Sequence, residues 1–201
     1  MQDLLNRLRP LTRARARAQA QVASTAAAPR PLRRLVDGVL AGTGRAVWIE
    51  GGPGSGKTEL LSRVATDAGA RGCRLVEFTA IGPLPRFGPD LILARLGLDP
   101  TSDDLRRVLN SRAGLSAMFR RLSAGAPLVV AVDDLDRTDA VSVEFWGRLA
   151  VETRTLPLLL LATAQPEADR ADLARVRDDV RSSPIRIACC QCGPADLSLR
   201  P

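Results

Sequence analysis

The run Gly51-Gly52-Pro53-Gly54-Ser55-Gly56-Lys57-Thr58 constrains this chain more than any other stretch. The apolar segment AVWIE (Ala46 to Glu50) precedes it, and Leu60, Leu61, Val64, Ala65 and Ala68 follow at helical spacing. A strand, a glycine-rich loop and a helix in that order turn the backbone so that its N–H groups converge. The positive end of the new helix faces the same point, which makes a cradle for an anion. The spacing fits G-x-x-x-x-G-K-[ST], whose confirmation is this strand and helix context. Lys57 is the only lysine, every other basic side chain being arginine. Its slim ammonium can reach β- and γ-phosphates inside a tight loop, where a planar guanidinium fork would not fit. Thr58 offers a hydroxyl suited to Mg²⁺. Candidate nucleotide contacts therefore run through Gly51, Gly52, Pro53, Gly54, Ser55, Gly56, Lys57, Thr58 and Glu59. The dinucleotide pattern G-x-G-x-x-G does not occur.

A second constellation lies in PLVVAVDD, an apolar run ending in Asp133 and Asp134. At the carboxyl end of a parallel strand beside the phosphate-loop strand, Asp133 can hold Mg²⁺ through water, and Asp134 can orient or deprotonate an attacking water. Lys57 and Asp134 are thus the candidate catalytic residues, with Thr58 and Asp133 the candidate Mg²⁺ ligands. The competing reading makes Asp134 a cap for the acidic turn DLDRTD. Downstream, LPLLLLATAQP reads as a strand lying between the other two, which would aim Thr163 or Gln165 at a γ-phosphate.

Strands alternate with helices along the chain, which predicts a parallel sheet covered on both faces. The strands are near-continuous apolar runs, as burial on both faces requires. CRLVEFTA and PIRIACC add a second and a fifth strand to those already named. The expected fold is α/β, a three-layer sandwich with a mostly parallel five-stranded sheet. Leu32, Leu35, Val36, Val39 and Leu40 share one face of a first helix, and Gly69 stops the helix after the loop. GPLPRFGP reads as loop, residues 91 to 124 as helical with a break capped by Thr101 or Ser102, and Asp139 as the cap of the next helix.

Residues 1–30 stand apart as an Arg/Ala-rich arm with little to bury, residues 31–192 form the globular domain, and 193–201 begin a linker. The net charge of +7 accompanies a complete absence of histidine, which excludes an imidazole base and His-ligated metal. The arginines are spread out and tyrosine is absent, so the footprint of a nucleic-acid surface is missing and DNA binding by this chain alone is not expected. Cys73 reads as a small hydrophobe. Cys189, Cys190 and Cys192 lack the paired spacing of a zinc site. No apolar run is long enough to span a bilayer and no secretory signal opens the chain, so a cytoplasmic location is expected.

VWIEGGPGSGKTELL, then PLVVAVDDLDRTDAVSVEFWGRLA, then LPLLLLATAQPEA together resemble the ATPase domain of large LuxR-type ATP-binding transcriptional regulators, in the STAND branch of AAA+-like P-loop ATPases. The resemblance covers Leu32 to Leu197. It places Asp133, Asp134, Leu135 and Asp139 on the family's DD-L-x-x-x-D stretch and Ala162 and Thr163 on its A-T strand end. Gln165 stands where the family often carries arginine, and APRPLRRL where it often has a G-R-E-like stretch. GPADLSLRP resembles the linker into a helical lid, which implies an N-terminal fragment. The resemblance implies ATP and Mg²⁺ as cofactors, slow hydrolysis serving regulation, and self-association or downstream domains as partners. Two other readings stay open: a nucleotide switch without significant hydrolysis, and a small-molecule phosphotransferase.

Overall fold

The computed structural model describes residues 30–80, 82, 87–166, 170–181, 186–188 and 199–200. The N-terminal arm up to residue 29 and the three clustered cysteines named above lie outside the described residues, as does half of GPLPRFGP. The described helices are α1 (Arg30–Leu40), α2 (Lys57–Ala70), α3 (Phe87–Arg95), α4 (Asp103–Asn110), α5 (Arg112–Ser123), α6 (Ala140–Glu152) and α7 (Ala171–Arg181). The strands are β1 (Arg45–Glu50), β2 (Arg74–Thr79), β3 (Leu128–Asp133), β4 (Leu158–Ala164), β5 (Arg186–Ala188) and β6 (Leu199–Arg200). None of the described helices is long and apolar enough to cross a membrane.

The sheet order is β2-β3-β4-β1-β5-β6. The first five strands run parallel, and the two-residue β6 adds an antiparallel edge within the stretch read as linker. β3 is therefore not the direct neighbour of β1. β4 stands between them, pairing Ala46 with Leu160 on one side and Val130 with Leu160 on the other. The α/β sandwich with a mostly parallel sheet is the fold that alternating apolar strands and amphipathic helices dictate.

β3 shows why such strands are apolar throughout. Leu128, Val130 and Val132 join a cluster with Phe119, Trp146 and Leu149. Val129 and Ala131 point the other way and pack with Leu61, Val64 and Val36. Alternate residues thus face opposite layers, and neither layer is solvent. Cys73 is buried at the foot of β2, where burial pushes its thiol up, consistent with a hydrophobic role.

Several boundaries differ from the sequence reading. Leu40 is exposed at the end of α1, beyond the buried face formed by Leu32, Leu35, Val36 and Val39. α2 runs past Gly69 to Ala70, and the left-handed residue that follows is Gly72. α3 begins at Phe87, inside the expected loop, with Pro89 in its first turn, where no N–H is missed. Ser102 caps α4 by accepting from Leu105 N at 3.3 Å. The helical stretch then breaks at extended Ser111, which caps α5 by accepting from Gly114 N at 3.0 Å. Asp139 does occupy the N-cap position of α6, and its carboxylate accepts from the Ser142 hydroxyl.

Gly44, just before β1, packs against the turn that leads into β4. A β-carbon there would sit inside van der Waals contact of three backbone carbonyl oxygens, those of Leu156, Thr153 and Leu158. Backbone cannot swing aside as a side-chain tip can. Gly44→Ala is expected to destabilise the fold by about 3 kcal/mol, read as a lowered urea midpoint with unchanged slope.

Candidate functional site

β1 delivers the chain into the loop. Gly51 N bonds Ala164 O at 3.4 Å, so the first glycine is still tied to the end of β4. Gly54 (φ +75°) and Gly56 (φ +86°) take left-handed conformations with open space where a β-carbon would be. Gly56 caps α2, and Leu60 N returns to Gly56 O at 2.9 Å. Lys57 is buried, and its Nζ donates to Gly51 O at 2.6 Å and Gly52 O at 2.9 Å. The ammonium is thus folded back across the concave side of the loop. Ser55 Oγ is buried there without a hydrogen-bond partner. An orphaned hydroxyl, an ammonium and two open left-handed glycines in one loop fit a polyphosphate.

The carboxylate of Asp133 is the hub of the site. Thr58 Oγ1 lies 3.1 and 3.0 Å from its two oxygens. Thr163 Oγ1 donates to Oδ1 at 2.7 Å, and the same hydroxyl accepts from Asp134 N at 2.8 Å. Because a backbone N–H can only donate, the hydroxyl proton must go to the carboxylate. Burial pushes the Asp133 carboxyl up, while the hydroxyls of Thr163 and Thr58 pull it back. Glu77 on β2 shares this side of the sheet, two positions behind the Thr79–Asp133 pair, and burial together with Asp133 pushes its carboxyl up. A carboxylate and a threonine hydroxyl in contact form a hard-oxygen pair suited to Mg²⁺.

Of Thr163 and Gln165, the two residues that the sequence aims at a γ-phosphate, Thr163 is fully buried and its hydroxyl is engaged by Asp133 and Asp134. Gln165 is exposed, and its backbone N–H donates to Asp136 Oδ1 at 3.3 Å. Glu59 lies in the first turn of α2, but its carboxylate pairs with Arg63 of the same helix.

Asp134 has φ +56° and ψ +50°, the left-handed region that non-glycine residues enter at a cost. Aspartate is among the side chains that tolerate it. Arg137 Nη1 lies 3.6 Å from Asp134 Oδ2, a contact that no motif singles out. Arg170 was likewise missed. It donates to Asp136 O at 2.9 Å and Thr138 O at 2.6 Å while pairing with Asp172, so it pins the turn after β3 to the start of α7.

A family profile for the AAA ATPase domain matches residues 26–161, most of this architecture and both acidic and glycine-rich motifs. The chain belongs to the AAA ATPase domain family. No curated protein matches it in sequence. Among solved structures, this AAA ATPase domain is similar to Drosophila ORC bound to AT-rich DNA and Cdc6, at 12% identity and TM-score 0.51, covering 91% of this chain and 59% of that one. It is also similar to the Aeropyrum pernix ORC2 protein in ADPNP–ADP complexes, at 18% identity and TM-score 0.49, covering 83% and 50%. AMPPCP-bound DnaA from Aquifex aeolicus matches at 16% identity and TM-score 0.43, covering 79% and 44%. The Drosophila likeness supports the fold alone. This chain spans about half the length of these three solved proteins.

Proposed function

We propose that this chain is an ATP-binding module that hydrolyses ATP slowly with Mg²⁺, as the ATPase part of a signal-transducing transcriptional regulator of the large LuxR type. The observation that carries the enzymatic part is the convergence of the Thr58 and Thr163 hydroxyls on Asp133, beside the Lys57 ammonium. The regulator part rests on the order and spacing of the three sequence blocks.

The loop amides and Lys57 would hold the phosphates. Thr58 and Asp133 would hold Mg²⁺, which when bound neutralises phosphate charge and orients the γ-phosphoryl group. Thr163 fixes the rotamer of Asp133 and the backbone of Asp134 at once. Asp134 would accept the proton of the attacking water.

A non-hydrolysing switch is the second reading, and Arg137 favours it. The Arg137 guanidinium, 3.6 Å from Asp134 Oδ2, competes with an attacking water for that carboxylate oxygen. Asp134→Asn separates the two readings. Asparagine tolerates the same left-handed backbone, so the loop keeps its shape. Under the hydrolytic reading turnover falls about a hundredfold or more while ATP affinity holds. Phosphate release that is unchanged in Asp134→Asn would leave the switch.

A further inference from the structure

Glu50 poses an electrostatic puzzle. It immediately precedes Gly51, whose carbonyl the Lys57 ammonium holds. Its carboxylate is buried, at 5% exposure, next to a loop built to receive anions. A lone negative charge there would oppose a polyphosphate.

The surroundings explain how the charge is tolerated. Ala46 and Trp48 share the face of β1 that packs with Trp146 and Val176, and Glu50 continues their parity. Trp48 Nε1 donates to Glu50 Oε1 at 3.0 Å. Trp48 itself stands edge-on to Trp146 of α6, with ring centroids 5.6 Å apart. Arg177 of α7 brings Nη1 to 3.5 Å from the same Oε1. The Arg177 side chain is about a quarter exposed and its Nε is buried, 3.6 Å from Asp178 Oδ1. Asp178 is well exposed, so water screens it in a way it cannot screen Glu50.

We propose that Arg177 is a positioning residue that cancels the charge of Glu50 behind the phosphate loop, so that ATP affinity follows the charge balance of this pair and the seating of α7. The inference rests on the ATP-binding reading above. As built, the pair contributes no net charge. Losing the arginine takes the guanidinium away from a buried carboxylate behind the loop; losing the carboxylate leaves a guanidinium there that is about a quarter exposed. Electrostatics therefore predicts effects of opposite sign, whereas a role in packing alone predicts that both changes weaken binding.

The test is calorimetric titration of the full chain with ATP and Mg²⁺ at low ionic strength. Arg177→Gln is expected to bind several-fold more weakly than wild type and Glu50→Gln several-fold more tightly, about a tenfold spread between them. The double variant Glu50→Gln with Arg177→Gln should return to within about twofold of wild type, since the pair is again neutral. Weakening in both single variants, no change in either, or a double variant as weak as Arg177→Gln would overturn the proposal. If Arg177→Gln fails to fold, Glu50→Gln alone decides: tighter binding supports it, and weaker or equal binding overturns it. A wild-type chain that binds no ATP would sink the nucleotide reading and this inference together. A wild-type chain that binds, with the variants out of pattern, sinks the inference alone.

Discussion

Lys57→Ala is expected to weaken ATP binding by about a hundredfold or more, the scale of removing one partner from a desolvated charge contact. The side chain has two jobs that alanine cannot do. It supplies the one cation buried within the loop, and it bridges Gly51 O and Gly52 O, which hold the loop's entry in shape. Lys57→Arg should be nearly as damaging. A guanidinium keeps the charge but brings a planar fork into a space now spanned by a single nitrogen. Titration with a fluorescent ATP analogue measures both variants, and circular dichroism checks that the sheet survives. Affinity equal to wild type in Lys57→Ala would remove the phosphate-cradle reading altogether.

Asp133→Asn should behave differently, losing turnover while sparing nucleotide affinity measured without metal. The amide is isosteric. Its oxygen can still accept from Thr163 Oγ1, and the Thr58 hydroxyl can rotate to accept from its NH₂ group. The three-way contact therefore survives, but the negative charge that a divalent cation needs does not. The expected loss in turnover is at least about a hundredfold, with a higher Mg²⁺ concentration required for half-maximal rate. Steady-state phosphate release across a Mg²⁺ series measures it. A variant with wild-type rate and wild-type Mg²⁺ dependence would take Asp133 out of the metal site.

The glycine loop, the acidic strand end and the interposed β4 were legible because each is written in consecutive residues with a period or a motif. The partners of those residues were harder to read. Thr163 lies far along the chain from Asp133, and only the strand order brings its hydroxyl onto that carboxylate. Nothing local in DDLDRTD marks Asp134 as left-handed, since the same letters suit an ordinary turn. Glu50 and Arg177 belong to a strand and a helix separated by most of the domain, and their pairing follows from tertiary packing. Ser111 was overlooked for the opposite reason. The flanking residues favour helix on both sides, and a single extended residue was enough to split them.

The strand order has a consequence for biosynthesis. β1, which leads into the glycine loop, pairs with neither β2 nor β3; its partners are β4 and β5, and Arg45 pairs with Leu159. A nascent chain therefore emerges with its glycine loop early and the scaffold for that loop late. β2 and β3 can pair first, while β1 waits for β4 to leave the ribosome. Such distant pairing is slow to close. ATP, which would favour only the assembled loop, can stabilise this domain at the end of its folding and not at the start.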